Sequence, residues 1–420
     1  MKEELYSNAL YYYGSRKAVP YTLSMRMVLN DPVDGDALQT AVSRTMERYA
    51  YIKRRVRRNF NKFWLEENPL PVVVLPSDQY AVLGSEEVNY HLLAFRYAEN
   101  MIFIDCFHGH LDGSFLSRLM GTLLYYYVEA HYGETMDPKG LSLLGDEISK
   151  TEYEDPFPRK IVLTEKPLQR TPRFIRNFKM GKGKKHGPEY RRTFSIQASE
   201  EQVMACCRRM DASPSVFAAL VMAKVIDRVH PENKRPISIG NAFNIRPVLH
   251  AENCYRSTIY ALHLLYDERV RRLPENLQGT ALRGQIMLQS DPTSVMAELK
   301  FQNKVYKLNA ALPFLFMKKL VARASTGLEN ADTTFTVSYA GKVDMGDAGR
   351  YIKKFDAQGE GGTAGLLIEV YCINGMFIFS IFQDYEDTEY VDTFIELLRS
   401  NGVDARLVSV TETSSPGIKF

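Results

Sequence analysis

The alternation of apolar and polar positions predicts strands and helices in both halves of the 420-residue chain. Short apolar or alternating runs predict strands, and longer runs with apolar residues every three or four positions predict amphipathic helices. In the first half we expect strands at 21–29, 71–75, 89–96 and 101–107, and helices at 34–49 and 114–131. In the second half we expect strands at 190–197, 333–343, 365–373 and 376–383, and helices at 214–229, twice within 292–324, and at 388–400. The pattern predicts an α/β protein of two similar units.

The turn that follows the strand at 101–107 is the most informative segment for function. It reads His-Gly-His-Leu-Asp-Gly and leads into an apolar-periodic helix. The period of two places His108 on the face of the strand's inward apolar residues, so it should point into an interior or a channel. Imidazole is the side chain whose ordinary pKa suits a base near neutral pH. Asp112 or Ser114 can cap the helix. His108 is therefore the candidate catalytic base.

This turn resembles the His-x-x-x-Asp-Gly signature of the chloramphenicol acetyltransferase superfamily of thioester-dependent acyltransferases, which includes condensation domains and alcohol acetyltransferases. On that signature, His108 takes the place of the catalytic histidine, and Asp112 and Gly113 form the Asp-Gly pair. The fuller motif has a second histidine just before the catalytic one, where this chain has Phe107.

Three further blocks resemble the family in the same order along the chain. The predicted helix at 34–49 is similar to the family's early helix. The stretch at 48–53, at the end of this helix, is similar to the Arg-Tyr-Pro-x-Leu-Arg-like stretch that follows it in the family. Residues 235–249 resemble the strand that ends in Asn-x-Arg, here Asn244 and Arg246. Residues 337–343 resemble the Ser-Asn-x-Gly stretch of the alcohol acetyltransferases, with Ser338 followed by Tyr339.

The resemblance implies two chloramphenicol acetyltransferase-like subdomains, each a mixed sheet with flanking helices, which face each other across a channel. We expect an N-terminal subdomain at 1–170, a basic linker at 171–189 and a C-terminal subdomain at 190–420. The donor is expected to be a coenzyme A or phosphopantetheine thioester, used as a co-substrate, with no permanently bound cofactor and no metal. The acceptor would be a small alcohol or amine, and an acyl carrier protein is a possible partner.

The same resemblance assigns supporting roles. It implies that Asp112 forms an ion pair with a distant arginine, for which Arg246 is the candidate. Ser338 or Tyr339 is the candidate donor to the oxyanion, or lines the channel.

Two alternative functions stay open on the sequence. His108, His110 and Asp112 also form a fragment of the His-x-His-x-Asp-His motif of zinc metallohydrolases, although Gly113 stands where that motif has its next histidine. The chain could also be an inactive member of the acyltransferase superfamily that only binds. The retained His108 argues against this second alternative.

Composition narrows the partners and the compartment. Hydrophobic residues make up 45% and charged residues 25%, which are values of a globular protein. The net charge of +3 is too small to indicate nucleic-acid binding, and no apolar run is long enough for a membrane span. Five scattered cysteines without a Cys-x-x-Cys pair suggest reduced thiols and a cytoplasmic location. We expect a monomer or a weak oligomer.

One stretch of the chain is unusually rich in positive charge. Residues 159–192 contain twelve lysines and arginines against two glutamates. This stretch is either a solvated linker or a positive field that attracts an anionic donor. Lys182, Lys184 and Lys185 are the candidate contacts for the donor's phosphates.

Overall fold

The computed structural model describes residues 2–17, 19–180, 190–343, 345–358, 365–414 and 417–420. These residues form fifteen strands and eleven α-helices, and the strands are arranged in three sheets. The strands are β1 Lys2–Glu4, β2 Thr22–Leu29, β3 Arg54–Arg58, β4 Phe63–Glu67, β5 Val74–Pro76, β6 Leu93–Ala98, β7 Met101–Phe107, β8 Tyr190–Ser199, β9 Ile237–Asn244, β10 Ile259–Tyr266, β11 Phe335–Lys342, β12 Ile352–Gln358, β13 Leu366–Ile373, β14 Met376–Gln383 and β15 Arg406–Ser414. The helices are α1 Ala9–Gly14, α2 Gly35–Arg48, α3 Gly113–Tyr132, α4 Lys150–Tyr153, α5 Glu200–Arg209, α6 Pro214–Val229, α7 Glu268–Arg271, α8 Glu275–Ser290, α9 Pro292–Ala311, α10 Leu315–Ala331 and α11 Glu389–Ser400.

Each half of the chain is built around one mixed sheet with helices packed on it, which confirms the predicted α/β class. The first sheet has the order β12-β2-β7-β6-β5, and α2 and α3 cover one of its faces. The second sheet has the order β10-β9-β11-β13-β14-β8-β15, and α5, α6 and α11 cover the face opposite the first half. A small sheet, β1-β4-β3, packs with α1.

One strand from the second half completes the sheet of the first. β12 pairs antiparallel with β2, so the first sheet needs a strand from more than 240 positions further along the chain. Tyr371 on β13 reinforces this crossing, because the backbone N–H of Ala357 donates to its hydroxyl at 2.7 Å. The apolar core around α2 and α3 also includes inner-face residues of the second sheet, among them Ile378 and Phe382. The two halves are therefore packed together over a shared core.

Local sequence signals account for the elements that position the candidate site. Asp34 caps α2 by accepting from the N–H groups of Asp36 and Ala37. Ser213 caps α6, whose first residue is Pro214, a favoured position for proline. α3 ends at Gly133, which adopts the left-handed conformation with φ 68°. These boundaries agree with the predicted ones to within two residues.

All five cysteines are buried and none forms a disulfide. Within the described ranges, the helices are too short or too polar for any of them to cross a bilayer.

Candidate active site

His108 follows directly on the last residue of β7 and is held in place by its backbone. Its N–H donates to the carbonyl of Tyr21 at 2.8 Å, and the turn then closes on Phe107, whose carbonyl accepts from His110 and Leu111. Tyr21 adopts φ 55°, a left-handed conformation that costs roughly 1–3 kcal/mol in a bulky residue. Gly109 is required by close approach, because an added Cβ would lie 2.6 Å from the ring of Phe107. The histidine thus lies in a tightly fixed turn.

The His108 side chain is half-buried and has one unusual nitrogen. Its ring stacks on that of Tyr11, with centroids 5.7 Å apart. Nδ1 is shielded from solvent and has no hydrogen-bond partner among the described residues. A buried polar atom without a protein partner calls for an explanation, such as a bound water or a catalytic role. Because Nδ1 is enclosed, Nε2 is the nitrogen left to meet a substrate.

Asp112 is a fully buried carboxylate with three partners. It caps α3 by accepting from the N–H of Phe115 at 3.1 Å, and it accepts from the N–H of Thr258 at 3.1 Å. The guanidinium of Arg246 lies 2.9 Å from it, so the structure brings together the two residues for which the motif resemblance implies an ion pair. The pair joins the start of α3 in the first half to the segment after β9 in the second.

Arg246 is also enclosed, and each of its three guanidinium nitrogens donates to a neighbour. Nε donates to the carbonyl of Cys254 at 3.0 Å, Nη1 to Asn244 Oδ1 at 3.2 Å, and Nη2 to the carbonyl of Arg256 at 2.9 Å. At Gly113, the other half of the Asp-Gly pair, the structure leaves room for a side chain. An added Cβ would make only an ordinary 3.6 Å contact with Met25. The geometry explains Asp112 and Arg246 but gives no steric reason for glycine at 113.

His110 points away from His108 into the core. Its Nε2 lies 2.8 Å from the carbonyl of Ile52, and because a carbonyl can only accept, this nitrogen carries the proton. Burial lowers the pKa of His110 to about 3, so the ring is neutral. With Asp112 held by Arg246, no group of three metal-binding side chains is found among the described residues. The zinc interpretation gains no ligand set from this geometry.

The two candidate oxyanion donors lie on opposite faces of β11. Ser338 lies on the inner face, and its hydroxyl donates to Glu369 Oε1 at 2.9 Å. Tyr339 packs instead against the core under α5 and α6, with its ring near that of Phe377. Alternation along a strand explains the separation. Of the two, only Ser338 lies on the face that is turned towards the first half of the chain.

Glu369 is a candidate site residue that the sequence reasoning missed. It lies on β13 between Leu367 and Tyr371, which both pack towards the first half of the chain. The side chain is only partly accessible, and burial raises the pKa of its carboxyl to about 7, against the opposing effect of the Ser338 hydrogen bond. Glu369 is the single acidic residue in the otherwise apolar stretch Leu-Leu-Ile-Glu-Val-Tyr, and this is the sequence signal that could have revealed it.

We expect Glu369→Gln to stabilise the protein at high pH. An acid whose pKa is raised in the folded state stays protonated there while the unfolded chain ionises, so stability is lost as pH rises from about 4.5 to about 7. The wild type should lose up to about 3 kcal/mol over that window, whereas the glutamine variant should not. Chemical unfolding at pH 4.5 and pH 8 measures the difference, with Glu396→Gln, an exposed site, as control. An equal stability gap at both pH values would contradict a titrating Glu369.

The basic stretch is only partly described by the structure. Lys182, Lys184 and Lys185 fall within 181–189, outside the described residues. Of the remainder, Arg173 pairs with Glu298, whereas Arg176 and Lys179 line an open recess of about 510 Å³ together with Arg235. Part of the positive charge of the predicted linker, at Arg176 and Lys179, therefore lines this surface recess.

Comparison with known proteins finds similarity in structure and not in sequence. No family model matches the chain, and no curated protein matches its sequence. The first condensation domain of the CDA synthetase superposes with a TM-score of 0.61 at 10% identity, covering 96% of each chain. Polyketide synthase associated protein 5 from Mycobacterium tuberculosis gives 0.60 at 14% identity, covering 94% of this chain and 97% of its own.

A third similar structure is of a complex with a thioester-forming cofactor. TRI101 from F. graminearum, complexed with coenzyme A and deoxynivalenol, superposes with a TM-score of 0.59 at 10% identity, covering 95% of this chain and 97% of its own. All three alignments span nearly the whole of both chains, so the similarity concerns the complete two-part architecture. The chain therefore shares the fold of these three proteins over nearly its whole length, and this agrees with the fold that the resemblance to the chloramphenicol acetyltransferase superfamily implies.

Proposed function

We propose that the protein is an acyltransferase that moves an acyl group from a coenzyme A or carrier-bound thioester to an alcohol or amine, with His108 as general base. The observation that carries the proposal is the arrangement at the His-x-x-x-Asp-Gly turn. There, a half-accessible imidazole stands at the end of β7, and the buried Asp112–Arg246 pair fixes the turn to the other half. Similar structures that bind coenzyme A or are condensation domains support the same reading.

In the proposed reaction, His108 Nε2 takes the proton from the acceptor's hydroxyl or amine as that atom attacks the thioester carbonyl. The C–S bond then breaks, and the imidazolium returns the proton to the leaving thiolate. The products are an ester or amide and a free thiol, and no covalent enzyme intermediate is needed. General base catalysis of this kind contributes roughly 10²–10⁴-fold in rate. Positioning of donor and acceptor on either side of His108 would supply much of the rest.

Asp112 and Arg246 act as positioning residues in this proposal. Neither is directed at a substrate, because each is enclosed and fully engaged with neighbours. Their pairing fixes where α3 starts, and α3 starts five residues after His108. Loss of the pair would therefore move the base as well as weaken the fold.

Ser338 remains the proposed oxyanion donor, and Glu369 governs its proton. In the contact described above, the serine donates to the carboxyl; a protonated Glu369 would instead donate to Ser338 Oγ and leave the serine proton free for an oxyanion. When the carboxyl is ionised, it accepts that proton instead. Because the pKa of Glu369 is about 7, this exchange falls within the working range of a histidine base.

The reaction class can be tested with a panel of donors and acceptors. Acyl-coenzyme A and acyl-pantetheine thioesters of increasing chain length are incubated with simple alcohols and amines, and release of free thiol is followed colorimetrically. We expect thiol release that depends on both the acceptor and the enzyme. Release that ignores the acceptor would indicate hydrolysis. A protein that binds the donor without any turnover would correspond to the inactive member of the superfamily.

The proposed donor also predicts an effect of the basic stretch. If it steers the donor's phosphates, reversing Lys182, Lys184 and Lys185 to Glu should raise the donor KM most at low salt. The effect should shrink as the Debye length falls from about 30 Å at 0.01 M salt to about 10 Å at 0.1 M. Acceptor KM should barely change, and reversal of the exposed Arg228, Arg269 and Arg272 provides the matched control. Unchanged donor kinetics at low salt would reduce the stretch to a solvated linker.

A further inference from the structure

An exposed apolar surface lies where the turn between β3 and β4 meets the connection from α9 to α10. We call it the apolar tip and define it as Phe60, Phe314, Phe316 and Leu320. Phe60 is 73% exposed in the turn between β3 and β4, and Phe316 and Leu320 are 68% and 66% exposed on the first turns of α10. The N–H of Leu315 donates to the carbonyl of Phe60 at 2.9 Å, which ties the hairpin to the helix. The tip is thus one continuous feature.

The side chains of the tip turn outward together. The rings of Phe314 and Phe316 stack with centroids 5.9 Å apart, and Phe316 and Leu320, four residues apart, share a helix face. Single exposed apolar residues are normal on any surface, but a cluster of large ones marks an interaction site. Two of the four, Phe60 and Phe314, lie in connections between elements, and both are exposed.

Positive charges surround the tip. Lys319 Nζ lies 5.1 Å above the ring of Phe63, and burial together with the nearby charges of Arg58 and Arg323 lowers its pKa. Lys62 lies close enough to Lys318 to act on that residue in the same way. Glu4 pairs with Lys62 and offsets one of these charges. Arg58 and Arg323 are the exposed cations beside the tip, whereas Lys319 is half-buried.

We propose that the apolar tip docks on a membrane surface that contains anionic lipids. The four apolar side chains would enter the headgroup region, while the exposed Arg58 and Arg323 face the lipid phosphates and carboxylates. Apolar side chains backed by a cationic rim are the pattern of peripheral interfacial binding, in which buried apolar area and attraction to anionic lipids act together. An acidic protein partner would match the charges, but it would give no reason for aromatic side chains to project from two separate turns.

Vesicle co-sedimentation tests this proposal without any measurement of catalysis. The full-length protein is mixed with vesicles of phosphatidylcholine alone and with vesicles containing 30 mol% phosphatidylserine. We expect it to pellet with the anionic vesicles and to be released as salt rises, because added salt screens the attraction. Arg58→Gln with Arg323→Gln should weaken binding about 25-fold, at about fivefold for each charge.

Substitution of the apolar residues separates insertion from simple electrostatic attraction. Phe60→Ser, Phe316→Ser and Leu320→Ser combined should lower binding to anionic vesicles at least tenfold while the Tm stays near that of the wild type, since all three side chains are exposed. Met287→Ser, at a 77% exposed site on α8, should leave binding unchanged. Wild-type protein that stays in the supernatant, or a triple variant that binds as well as the wild type, would overturn the proposal. So would self-association of the wild type that the triple variant abolishes, because it would assign the tip to a second copy.

Discussion

Replacing His108 with alanine is expected to lower the rate of acyl transfer between about 10²- and 10⁴-fold, with the fold intact. The imidazole is half-exposed and its side chain has no hydrogen-bond partner among the described residues, so its removal costs the structure little. What is lost is the group that takes the acceptor's proton. The effect should therefore appear in kcat/KM for the acceptor, whereas equilibrium binding of the donor should be unchanged.

His110→Ala is the matched control, since it removes the same side chain two residues away. His110 is buried against Ile52 and is held neutral, so its loss should lower the Tm more and catalysis less than loss of His108. Equal loss of activity in both variants, together with stoichiometric zinc in the purified protein, would favour the metallohydrolase instead. Full activity in His108→Ala would remove the histidine from the mechanism.

The second large effect is expected at the Asp112–Arg246 pair. Removing one member leaves the other as a buried, unpaired charge, which costs roughly 3–5 kcal/mol of folding stability. Each single alanine variant should lose stability and activity together. The double variant should lose less than the sum of the two single losses, because it leaves no uncompensated charge. Denaturant unfolding of the four proteins measures the coupling.

Asp112→Asn, added to this double-mutant cycle, separates two roles of the carboxylate. An asparagine still caps α3 through its side-chain oxygen, but it leaves the guanidinium of Arg246 without a counter-charge. We expect Asp112→Asn to lose nearly as much stability as Asp112→Ala, since the ion pair is the larger contribution. Additive losses across the cycle would contradict a coupled pair, and recovery in the asparagine variant would reduce Asp112 to a helix cap.

Local pattern was sufficient for elements that carry their own signals. The strand at 101–107 and the helix at 214–229 have the predicted bounds, because an apolar run and a Ser-Pro start mark them clearly. The strand predicted at 89–96 instead begins at Leu93, since Asn89 and Tyr90 take positive φ values in a turn. β12 and β15 were not predicted. Both owe their conformation to partners far away along the chain, which no local window contains.

The residues of the candidate site also fall into two groups, those marked by a local motif and those placed by tertiary packing. His108, Asp112 and Arg246 were identified because short motifs mark them, and the structure brings the last two together. Tyr11 beside His108 and Glu369 beside Ser338 come from distant segments, and only tertiary packing places them there. The opposite orientation of Ser338 and Tyr339 follows from the period of two along the strand predicted at 333–343, which β11 matches closely.

The central claim, thioester-dependent acyl transfer, is tested most directly by following the acyl group itself. The wild-type protein is incubated with a thioester that carries ¹³C at its carbonyl and with the best acceptor from the panel, and all products are identified by mass spectrometry. Acyl transfer predicts labelled ester or amide, with one free thiol released for each acyl group transferred and no label left on the protein. Label recovered only as free carboxylic acid, or only in unreacted thioester, would contradict it.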